Sequence, residues 1–168
     1  MKLITAARNL VTAALTALAV TACSPRRFSV SASSMAPTIP PGSEVIGDMS
    51  AYSSRAPQRW DIVLFDPPPH AGGQLWVMRI VGLPGERVNF GATGGIVIDG
   101  KPLTPPPELK AIPWQGSITA SKVVPVPHPF DVPPNCYYVL GDNPVNANDS
   151  RFWGAVPRKN ISGKVISK

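Results

Sequence analysis

The chain has 168 residues, room for one domain, or for one domain plus an anchor. At 43% hydrophobic and 15% charged it is too apolar for a disordered solvating chain, and 21 prolines with 14 glycines argue against a helical bundle. The net charge of +6 suits a solvated surface or an anionic membrane; no basic strip interleaved with aromatics points to nucleic acid, and two cysteines with two histidines build neither a disulfide scaffold nor a zinc site.

The chain opens with Lys2 and Arg8, then runs uncharged from Asn9 to Ala22. As a helix that run spans about 21 Å, short of the roughly 30 Å hydrocarbon core of a bilayer. It reads as the apolar region of a signal peptide, or as a short, tilted signal anchor. Val20-Thr21-Ala22-Cys23 resembles a bacterial lipoprotein cleavage box, which would make Cys23 a lipidated N-terminus. Both readings divide the chain at 1–23 and 24–168. Both place the second part outside the cytoplasm on a membrane tether and leave Cys136 without an internal disulfide partner.

Short β-type runs come next: Glu44–Gly47, Asp61–Phe65, a longer one over Gln74–Val81, then Arg87–Phe90 and Gly95–Ile98. Asp99-Gly100 after Ile98 is a hairpin signal. Tyr137–Leu140 and Ile161–Ile166 complete the set. No stretch after Cys23 keeps a helical apolar period for three turns, so the expected fold is mostly β, with a coiled or closed antiparallel sheet. Pro102–Pro134 holds about half of the 21 prolines and reads as an irregular excursion.

Four segments carry the chemistry. They are Ser33-Ser34-Met35-Ala36-Pro37-Thr38; Arg59-Trp60-Asp61-Ile62-Val63-Leu64-Phe65; Met78-Arg79-Ile80-Val81-Gly82-Leu83-Pro84-Gly85-Glu86; and the run from Gly141-Asp142-Asn143 to Asp149-Ser150-Arg151-Phe152-Trp153-Gly154. In order and spacing they resemble the type I signal peptidase family, and the resemblance covers nearly the whole chain after Cys23. It implies a β-fold serine endopeptidase with no cofactor and no metal. The implied activity is cleavage of signal peptides from exported preproteins after small residues, on the extracytoplasmic (periplasmic) face of a bacterial cell membrane. Membrane lipid and preproteins are the implied partners.

By the same resemblance Ser34 is the nucleophile, its backbone N–H an oxyanion donor, and Arg79, Asp142, Asp149 and Arg151 a supporting polar network. The family's general base is a lysine, and its position here is Met78. A thioether takes up no proton at neutral pH, and Arg79 is always charged and points to the opposite strand face. Ala147 stands where many members place a hydroxyl that binds the lysine. Ala32 stands where many place a second oxyanion hydroxyl. The reading is a membrane-tethered signal-peptidase-type serine endopeptidase. The alternative is a catalytically weakened or inactive homologue, a lipoprotein that binds peptides or assists assembly. Lys110, Lys122 and His70 are the candidates for a substitute base, and His128 has no acidic partner at suggestive spacing. Trp60 and Trp153 are expected in the core and Trp114 at a membrane interface. Met35 suits either an apolar membrane-facing rim or a core.

Overall fold

The computed structural model describes residues 25–68, 73–114 and 126–168. The targeting segment with Cys23, the candidate bases His70 and Lys122, and the middle of the Pro-rich excursion lie outside the described residues. Among those described, no helix is long and apolar enough to cross a membrane.

Every expected strand is present. They are β2 (Ser43–Asp48), β3 (Ile62–Phe65), β4 (Trp76–Gly82), β5 (Arg87–Phe90), β6 (Ile96–Ile98), β9 (Cys136–Leu140) and β11 (Ile161–Ser167). Three more were not anticipated, β1 (Arg26–Val30), β8 (Phe130–Asp131) and β10 (Val156–Pro157), while a further short strand, β7 (Lys101–Pro102), is the return arm of the hairpin expected at Asp99-Gly100. β7, β8 and β10 are only two residues long and contain or adjoin a proline, so they give no alternation to read. β1 is polar along most of its length because it is an edge strand. The single α-helix among the described residues, α1, covers Ser150–Trp153.

All strand pairs are antiparallel. A seven-stranded sheet runs β1-β2-β11-β3-β4-β9-β10, and a four-stranded sheet runs β7-β6-β5-β8. Of the coiled and closed forms expected, the ladders give a linear order with β1 and β10 at its ends. Asp99 (φ 50°) and Gly100 (φ 78°) turn β6 into β7 with both central residues left-handed, the backbone that a two-residue hairpin demands.

Two cores flank β4 and β9. Met78 and Ile80 of β4 and Tyr137 and Val139 of β9 pack into one, with Val45, Val63 and Phe65. Val81 of β4 and Tyr138 and Leu140 of β9 pack into the other, with Val88, Ile98 and Trp114. Successive strand side chains face opposite ways, so a strand buried on both faces needs apolar residues throughout. This is why Cys136–Leu140 reads as an uninterrupted apolar run.

Trp114 corrects the sequence reading. It is 3% exposed, stacks on Trp60 with ring centroids 5.8 Å apart, and donates its indole N–H to the Gly141 carbonyl at 3.1 Å. It is a core residue with a satisfied polar edge rather than an interfacial aromatic. Of the two settings open to Met35, the structure selects the core, where it is fully buried.

Candidate active site

Ser34 lies in the turn that succeeds β1. The turn is closed by Ala36 N–H donating to the Ser33 carbonyl (3.1 Å) and Ile39 N–H donating to the Met35 carbonyl (2.8 Å). Met35 and Ile39, both fully buried, pin it to the core and leave Ser34 half-buried at the surface. The Ser34 hydroxyl has no hydrogen-bond partner among the described residues.

Ser34 opens into a cleft of about 240 Å³. One wall runs from the end of β1 into the turn, Ser29 to Ala32; the other is Gln74 to Met78, with Asn146 and Asn148 at the rim. The register of β4 explains the second wall. Its ladder with β3 covers Trp76 to Arg79, but its ladder with β9 begins only at Arg79. Trp76, Val77 and Met78 therefore keep one strand edge unpaired, facing the end of an edge strand across the cleft. Such an edge offers N–H and C=O groups to an extended peptide.

Met78 lines this cleft together with Ser34 and is 3% exposed, opposite Val63 in the β3 ladder. None of the described residues lining the cleft carries an amine, imidazole or carboxylate. Lys110 is exposed and lines a different cavity, with Leu103 and Ile112. His128 is half-buried beside Tyr138, its Nε2 lying 2.7 Å from the phenol oxygen. Burial lowers its pKa below the ordinary 6.5, the Arg151 charge adds to that, and the Val126 carbonyl and Asp149 oppose it. Among the described residues no set of His, Cys, Asp and Glu is arranged to hold a metal ion.

Arg79 faces away from the cleft, as strand alternation requires. Its side chain is 6% exposed and its guanidinium grips the Asp142 carboxylate in a fork, Nε to Oδ1 at 2.8 Å and Nη2 to Oδ2 at 2.6 Å, while Nη1 donates to the Trp60 carbonyl at 2.9 Å. Trp60 presents that carbonyl from a left-handed backbone, φ 74°. Asp149 caps α1 and accepts from Arg151 at Nε and Nη2, both 2.7 Å, and from the Gly141 N–H at 3.0 Å. Burial pushes the Asp149 carboxyl up, and Arg151 and the two backbone N–H donors pull the other way. The four charged residues thus form two separate forks, Arg79–Asp142 and Asp149–Arg151, joined through the backbone of residues 141 and 142.

Sequence reasoning missed Asn143, which ties this network to the Ser34 turn. Its backbone N–H donates to the Ser34 carbonyl at 2.9 Å and its side-chain amide to the Ser33 carbonyl at 3.0 Å. Its place directly after Asp142 was visible, but its targets are backbone atoms more than a hundred residues away and leave no trace in the sequence. Gly141 is required by the same approach: a Cβ there would lie 2.4 Å from the Ala147 Cβ and 2.5 Å from the Ser34 carbonyl oxygen. Ala147 is itself 5% exposed, and Ala32 is exposed at the cleft wall.

The sequence pattern of the family described as "Signal peptidase, peptidase S26" matches residues 3–168. A "Signal peptidase I" from Leptolyngbya laminosa is 34% identical over 145 residues, covering 79% of this chain and 63% of that protein, so the chain spans less than two thirds of that relative's length. The "Signal peptidase I V" of Bacillus subtilis is 30% identical over 141 residues, covering 82% of each chain. A crystal structure of a signal peptidase I from Enterococcus faecalis aligns with a TM-score of 0.48 and 29% identity, over 66% of this chain and 97% of that one.

Proposed function

The chain belongs to the signal peptidase family, peptidase S26, and from that premise we propose that it is a membrane-tethered serine endopeptidase that removes signal peptides from exported preproteins after small residues. Ser34 is its nucleophile and works at the extracytoplasmic face of a bacterial membrane, held there by the apolar segment before residue 24 or by a lipid on Cys23. The observation that carries this reading is the placement of Ser34 in one cleft with the unpaired edge of Trp76–Met78. A peptide lying there as an added strand would bring its backbone carbonyl to the Ser34 hydroxyl. Val30, Leu75, Trp76 and Val77 crowd the walls, which favours small side chains beside the reacting bond.

Arg79, Asp142, Asp149 and Arg151 act behind the cleft as supports. Proton removal is the step the chain leaves weak. Met78 cannot accept the Ser34 proton, and Arg79 is turned away and bound to Asp142. Loss of one member of a catalytic unit typically removes several orders of magnitude in rate, and the rate that remains comes from binding and the oxyanion donors. Burial of Met78 against Val63 favours a second reading, in which the cleft holds signal peptides without turning them over.

One assay separates the readings. Full-length protein in detergent is incubated with a preprotein reporter carrying an alanine-rich cleavage site. The peptidase reading expects slow cleavage that Ser34→Ala abolishes. It also expects Met78→Lys with Ala147→Ser to be faster by about three orders of magnitude or more. Peptide binding without cleavage, unchanged by Ser34→Ala, selects the second reading. Wild-type turnover equal to that of the double variant would refute the argument from the missing base.

A further inference from the structure

Two peptide units flank Ser34. The first carries the Ser33 carbonyl and the Ser34 N–H; the second carries the Ser34 carbonyl and the Met35 N–H. Asn143 holds both, the first through its side-chain amide (3.0 Å to the Ser33 oxygen) and the second through its backbone N–H (2.9 Å to the Ser34 oxygen). The Ser33 oxygen also accepts from Ala36 N–H at 3.1 Å. The Ser33–Ser34 bond is not among the chain's cis peptides, and in a planar trans peptide the C=O and N–H point in opposite directions. Fixing the Ser33 oxygen therefore aims the Ser34 N–H the other way. That N–H donates to no acceptor among the described residues, while both neighbouring carbonyls are bonded.

We propose that Asn143 is a positioning residue: through its side-chain amide it orients the Ser34 N–H as the oxyanion donor of the cleft. Asn143 is placed for this by its neighbours. Asp142 is locked in the fork with Arg79, and the Gly141 N–H is bound to Asp149. The buried ion pairs thus reach the reacting atoms through one uncharged amide. The inference rests on the reading of Ser34 as nucleophile.

The test uses an equilibrium, so that the missing base does not mask it. A short peptide aldehyde ending in alaninal adds the Ser34 hydroxyl across its carbonyl. The Oγ–C bond forms, the C=O π bond opens, and the hydroxyl proton passes through water to the former carbonyl oxygen; nothing is oxidised and nothing leaves. A base changes the rate of this addition and not its position. The matching peptide alcohol fills the same cleft without forming the bond. Affinities of both ligands are measured for full-length wild type, Asn143→Ala and Asn143→Asp, the last similar in size to asparagine but unable to donate when ionised. The adduct oxygen is a hydroxyl, and a neutral hydrogen bond to it is worth a net factor of roughly five to ten, so both variants are expected to lose about fivefold or more in aldehyde affinity and to hold alcohol affinity within about twofold. Asn143→Asp keeps the test alive if Asn143→Ala fails to fold. Parallel loss for both ligands, or no loss, would overturn the role of Asn143 and leave the Ser34 reading standing. Wild type binding the aldehyde no tighter than the alcohol would overturn both.

Discussion

Replacing Met78 by lysine tests how dry the cleft is. The two side chains are similar in length, so the substitution is mainly electrostatic. Position 78 is 3% exposed, lies opposite Val63, and packs with Ile80 and Val139. No carboxylate is among the described residues lining the cleft to pair with an ammonium there. Burial of this kind lowers a lysine pKa by about 3 units from its ordinary value of about 10.4. At roughly 1.4 kcal/mol per unit the folded state loses about 4 kcal/mol at neutral pH. The sign comes from linkage. Below the depressed pKa, near ~7.5, folded and unfolded chains both carry the proton and the full cost applies. Between ~7.5 and ~10.4 the folded chain has released the proton and the unfolded chain has not, so stability climbs with pH. Above that range neither carries it and the cost vanishes. The assay is denaturant unfolding of wild type and Met78→Lys in detergent, followed by tryptophan fluorescence at a series of pH values. The expected difference is about 4 kcal/mol at pH ~7, closing by pH ~10.5. A difference below about 1 kcal/mol, flat across pH, would show that water reaches position 78 and would refute the reasoning.

Two further outcomes are expected. Asp142→Ala leaves the Arg79 guanidinium buried without its fork, and breaking a buried pair in this way costs about 3–5 kcal/mol; thermal unfolding should fall by roughly 10 °C, and a loss under about 1 kcal/mol would mean that water replaces the carboxylate. His128 has its pKa lowered by burial, so the stability it contributes is present above the ordinary 6.5 and is lost as pH falls through the lower folded value. Wild type should therefore weaken on acidification below 6.5 more steeply than His128→Gln; identical pH profiles would remove His128 as the cause.

Much of this protein was legible in one dimension because the controlling physics is local. A strand half-buried or buried on both faces shows its period directly, and the Asp99-Gly100 turn declares itself because few other pairs tolerate two left-handed residues. Ser34 in its rigid turn and Met78 in its strand were equally visible as residues, and the structure brings the two into one cleft. Edge strand β1 was not, since exposure removes the need for an apolar pattern. The two-residue strands were not either, since pairing alone defines them. The fate of Trp114 depended on Trp60 and the Gly141 carbonyl, partners that only folding supplies. Sequence alone therefore determined the family and the β class. Only the tertiary structure decided that β9 stops pairing with β4 at Arg79 and so leaves a strand edge open beside Ser34. It also decided that Asn143 holds the peptide units on either side of that serine. Both depend on backbone hydrogen bonds between distant segments, and backbone atoms are the same whatever the residue.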